Sequence, residues 1–292
     1  MTTISSPLPL ASPLDAGRRR YSRPLLFFGL SLLVPWALWA AAAVLSHAES
    51  APASAPLLIA ALGLAGLCAP TVVAAALILP RADLRRDVRA RLVGGRQAPR
   101  WTWGAAIGLL PASLLVATLI SVMAGGDPEQ FLPRGGFTFT SGVLPVWFIL
   151  GGAAVLEELA WHSYGTDALT SRFSMLTATL VFAVYWAAWH VPLAGIKGYY
   201  QAEVVETGWI GSVTFLLSIP AFLLVMNWLY MRSGRSIAIA VLVHLCANYA
   251  NEVLRTDDST KLIQTVVLLV LGVVLVWKDR KLFLAPPADG DA

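Results

Sequence analysis

The chain has 292 residues, 57% of them hydrophobic and only 13% charged, with a mean hydropathy of +0.69. Those values exclude an ordinary soluble domain and place the chain among membrane proteins. A formal net charge of +4 does not indicate nucleic-acid binding, because the basic residues sit in short segments between apolar runs. The two cysteines, Cys68 and Cys246, lie inside such runs, which argues against a disulfide framework or a cysteine metal site.

Residues 1–22 form a Ser/Pro-rich segment expected to be a disordered cytoplasmic tail. Arg18, Arg19, Arg20 and Arg23 then precede an apolar run from Leu25 to Leu45 that resembles a secretory signal. The run is longer than a signal core and further spans follow, so an uncleaved first transmembrane helix is expected. Crossing about 30 Å of hydrocarbon takes roughly 20 apolar residues. Eight stretches qualify: about 25–47, 57–80, 101–124, 142–165, 173–195, 210–231, 235–254 and 260–277. Pro35, Pro70, Pro111, Pro145 and Pro220 fall inside them without vetoing them, since neighbouring helices can satisfy freed backbone groups. The expected fold is an all-α polytopic membrane protein with about eight transmembrane helices. Its segments are 23–141 (spans one to three), 142–256 (spans four to seven) and 257–292 (span eight with a short tail).

Between spans two and three, Leu84, Val88 and Leu92 recur among seven arginines. An ordinary basic loop is the expectation, with a short helix on anionic lipid as the alternative. The stretch 125–141 carries no recognisable chemistry. With both termini inside, the inner segments hold 17 of the 21 Lys and Arg. That bias predicts a multi-pass membrane protein with both termini cytoplasmic, and the preference for Arg over Lys points to a bacterial cell membrane.

Two adjacent acids, Glu157 and Glu158, interrupt span four. A charged side chain at a helix centre costs roughly 2.5–3.5 kcal/mol on insertion scales, so such residues usually mark a pathway or a reaction centre. Glu158 and His162 are four apart and share a helix face, while Glu157 points about 100° away and pairs with Trp161. In span five His190 follows Trp186 by four, so the indole can pack beside the imidazole. In span seven His244 and Asn248 repeat the spacing and can donate two hydrogen bonds to one developing oxyanion. Taken singly, each of these could equally be a bond between helices.

In order along the chain, Glu157-Glu-Leu-Ala-Trp-His162, Trp186-Ala-Ala-Trp-His190 and His244-Leu-Cys-Ala-Asn248 resemble the CAAX protease and bacteriocin-processing (CPBP, or Abi) family of intramembrane proteases. The resemblance covers roughly 142–252. The family pattern has arginine where this chain has His162 and phenylalanine where it has Trp186. The second change keeps an aromatic ring; the first replaces a permanent cation with an imidazole. The resemblance implies a catalytic cavity among spans four, five and seven and hydrolysis of a peptide bond by glutamate-activated water. Glu157 would be the base, His190 would position the water, and His244 with Asn248 would bind the oxyanion. Glu158, His162 and Trp186 would support them. No cofactor is then needed, although Glu157, His190 and His244 could instead supply three zinc ligands. The implied partners are a hydrophobic or lipid-anchored peptide substrate and membrane lipid. The competing readings are a non-catalytic immunity or scaffold protein of the same fold, and a proton-coupled transporter.

Overall fold

The computed structural model describes residues 20–50, 52–93, 98–137 and 145–286. Most of the N-terminal tail, Arg96 and the last six residues lie outside them. Among the described residues the chain is helical, with one isolated bridge between Pro133 and Leu254.

The helices are α1 (Pro24–Ser46), α2 (Ala55–Ile78), α3 (Ala82–Val93), α4 (Arg100–Met123) and α5 (Val146–Ala160). After α5 a π turn over Trp161–Gly165 leads directly into α6 (Thr166–Thr170). There follow α7 (Met175–His190), α8 (Tyr200–Glu206), α9 (Trp209–Arg232), α10 (Ile237–Val253), α11 (Asp258–Lys278) and α12 (Arg280–Leu284). By length and composition α1, α2, α4, α9, α11 and the run Met175–Gly195 can each cross a membrane. Helix α10 is apolar but shorter, and α5 reaches a spanning length only through the π turn and α6.

Local chemistry sets the boundaries. Pro145 precedes α5 rather than sitting inside it, because proline lacks the N–H that an interior position must donate. The other four prolines lie within α1, α2, α4 and α9. Side chains of Ser174, Ser236 and Asp257 accept from backbone N–H groups three residues on and so start α7, α10 and α11. Large apolar residues such as Leu25, Val184, Val273 and Trp277 remain exposed, as surfaces that meet lipid should.

Helix α5 sits between α2 and α10, α4 packs on α10 and α11, and α9 joins α7 to α11. The basic segment after α2 is a docked helix, contrary to the expected loop. Leu84 is buried in the core, and Arg91 reaches under the neighbouring helices instead of facing lipid.

Candidate active site

A cavity of about 560 Å³ lies among α2, α5, α7, α9, α10 and α11. Glu157, His190, His244, Asn248 and Trp186 all line it, whereas Glu158 and His162 stand behind its wall. Adjacent helical residues point about 100° apart, which is why the two acids have different surroundings.

Glu157 is buried at the cavity wall. Its Oε2 accepts from Trp186 Nε1 at 2.9 Å and from Trp161 Nε1 at 3.4 Å. Both indoles address the same oxygen, so Oε1 has no protein donor among the described residues. Glu158 is completely buried and bridges two imidazoles: Oε2 meets His162 Nδ1, and Oε1 meets His244 Nδ1 at 2.7 Å. The i,i+4 arithmetic anticipates the first contact; the second ties α5 to α10.

His190 is oriented from its own helix. A carbonyl can only accept, so His190 Nδ1–H donates to the Trp186 carbonyl at 2.7 Å. In the neutral ring Nε2 then keeps its lone pair. Trp186, Trp189 and Phe215 confine the ring at centroid distances of 5.2, 5.0 and 5.6 Å. The side chain of Asn248 is half-buried, and Nδ2 donates to the Leu150 carbonyl of α5 at 3.1 Å. That bond leaves the second amide hydrogen uncommitted.

Three features escape the motif reading. Trp186 holds Glu157 as well as packing on His190. Asn227, the one amide in the mostly apolar α9, accepts at Oδ1 from His162 Nε2 at 3.0 Å, and its Nδ2 donates to Thr179 Oγ1 at 2.9 Å. A lone buried amide at membrane depth is the signal that could have found it. The π turn is the third. Its His162 and Ser163 carbonyls accept from Arg91 Nη1 and Nη2 at 2.5 and 3.0 Å, while Arg91 also pairs with Asp87 and Asp167, each at 2.7 Å. Widened turns of this kind often mark functional sites.

Among the described residues no three His, Cys, Asp or Glu side chains are arranged to hold a metal ion, and Glu157 already receives two indole donors.

Comparison with known proteins bears on the family to which the chain belongs. The family model described as type II CAAX prenyl endopeptidase Rce1-like matches residues 138–250, which include all three motifs. A Methanococcus maripaludis protein named CAAX prenyl protease 2 is 32% identical over 263 residues, spanning 89% of this chain and 95% of that protein. The chain belongs to the Rce1-like CAAX prenyl endopeptidase family. It is accordingly a multi-pass membrane protein of an intramembrane peptidase family, and the resemblance read from the three motifs holds across most of the chain.

Proposed function

We propose that the chain is a glutamate-type endopeptidase that cleaves a hydrophobic or lipid-anchored peptide within the membrane. The observation that carries this reading is the unequal setting of the two acids. Glu157 faces the cavity with one oxygen unengaged, while Glu158 is locked between two imidazoles. Water held between Glu157 Oε1 and His190 Nε2 loses a proton to Glu157 as its oxygen attacks the scissile carbonyl. The oxyanion formed is bound by His244 Nε2–H and the remaining N–H of Asn248. Glu158 supplies the countercharge for the His244 imidazolium. Glu157 then returns the proton to the departing nitrogen, the C–N bond breaks, and a carboxylate and an amine leave. The relative's name points to prenylated C-termini as one substrate chemistry to try. No cofactor enters this scheme.

The test is cleavage of membrane-anchored peptides, prenylated and unprenylated, by detergent-solubilised protein. Glu157→Gln should lower the rate by about 10²–10⁴-fold, the usual contribution of a positioned general base. Chelator should change nothing. Retained cleavage in a folded Glu157→Gln protein would overturn the assignment and favour the immunity or scaffold reading.

A further inference from the structure

We infer that the outward face of α3 is a binding site for the headgroup of an anionic phospholipid. The site lies outside the three motifs and does not depend on the peptidase reading.

Helix α3 joins two membrane-crossing helices. Span α2 ends at Ile78, α3 begins at Ala82, and span α4 begins at Arg100. A helix held this close to two span ends sits at the level of the lipid headgroups. Its side chains divide into two faces at helical spacing. Leu84, Asp87, Val88 and Arg91 recur at i, i+3, i+4 and i+7 and turn into the protein. Leu84 and Val88 pack on the core, Asp87 pairs with Arg20, Arg91 and Arg235, and Arg91 holds the π turn. Ala82, Arg85, Arg86 and Arg89 repeat the same spacing on nearly the opposite side and line one surface cleft.

These outward cations have no countercharge. Both acids of α3 are engaged elsewhere, Asp87 inward and Asp83 with Arg81 at 2.8 Å. Arg85 Nη1 donates to the Leu79 carbonyl, whereas the Arg86 and Arg89 side chains have no partner among the described residues. All three arginines are exposed. Exposed leucines flank them: Leu79 at the end of α2 and Leu92, one turn beyond Arg89. Guanidinium groups bind phosphate oxygens in pairs, and apolar side chains beside them suit the acyl chains of the same molecule. A zwitterionic headgroup carries its own ammonium and offers this face no net charge. Free phosphate has nothing to place against Leu79 and Leu92. The chemistry therefore selects an anionic phospholipid.

The test is native mass spectrometry of the full chain in detergent, titrated with phosphatidylglycerol and, separately, phosphatidylcholine. Wild type should retain phosphatidylglycerol in preference to phosphatidylcholine. Arg86→Gln/Arg89→Gln should weaken its retention by about 25-fold, about fivefold for each cation removed. These side chains hold nothing else, so the variant should melt like wild type without lipid. Added phosphatidylglycerol should raise the Tm of wild type and leave the variant unmoved. Arg280→Gln/Lys281→Gln on α12 removes the same charge from two other exposed positions and should bind like wild type. Equal retention of the two lipids, an unaffected α3 variant, or an equal loss in the α12 variant would overturn the proposal. Displacement of phosphatidylglycerol by millimolar inorganic phosphate would overturn it too, because the site would then be one for free anions.

Discussion

Both ring nitrogens of His162 face acceptors, Glu158 Oε2 and Asn227 Oδ1. The ring stands where the family pattern has a guanidinium, and Asn227 holds its far side from α9. Asn227→Leu removes that acceptor at similar volume and should lower kcat about tenfold, or ~1.4 kcal/mol, with KM unchanged. Asn227→Asp keeps the acceptor oxygen and should recover most of the rate. An Asn227→Leu enzyme with full kcat would refute the positioning role. The contacts Glu158–His162 and Trp186–His190 were legible because four residues along a helix return to the same face. The Asn227–His162 and Glu158–His244 contacts were not, because periodicity within one helix says nothing about which helix lies opposite.

At the scale of elements, the approach of α1 to α2 governs His190 from a distance. Trp39 Nε1 donates to the Gly63 carbonyl at 3.1 Å, and its ring meets Trp189 edge-on at 4.6 Å, one residue before His190. A Cβ on Gly66 would stand 2.2 Å from Trp39 Nε1. Gly66→Ala must therefore drive Trp39 toward Trp189, and overpacking of this kind costs about 1–3 kcal/mol. Thermal unfolding in detergent should show a lower Tm together with slower cleavage. Gly29→Ala on the same helix pair meets nothing within 4 Å and serves as the control. If both variants behave alike, this packing does not reach the site. The long spans were legible from length and hydropathy, but the helical state of α3 was not. Its arginines read as loop until Asp87, Asp167 and the π-turn carbonyls are seen to receive Arg91.

Across the whole molecule, ion pairs among the described residues concentrate around Arg20, Arg81, Arg91, Arg232 and Arg235. Asp167 binds Arg91 at 2.7 Å and Arg235 at 2.5 Å, and it holds Arg235 in a left-handed conformation (φ 64°) between α9 and α10. Asp167→Ala should destabilise by about 3–5 kcal/mol, because Arg91 loses a buried partner. Denaturant titration in detergent reads that loss, and an unchanged midpoint would rule out a structural role for the network. The nearby Asp279 clasp tolerates mild acid. Partial burial pushes its carboxyl up, but bonds from Arg232 and Trp228 outweigh that and hold it below the ordinary carboxylate range. Its contribution is present above the unfolded pKa and disappears only as pH falls through the lowered one. The polar layer behind the cavity wall bears on the energetics of the membrane. A hydrolase must admit water to mid-membrane, and a channel through the bundle would let protons leak down their gradient. Behind Glu157, the side chains of Glu158, His162, Asn227 and Thr179 bond to one another from α5 through the π turn to α9 and α7, so that layer keeps its polar groups paired while the cavity lies on the other side of Glu157.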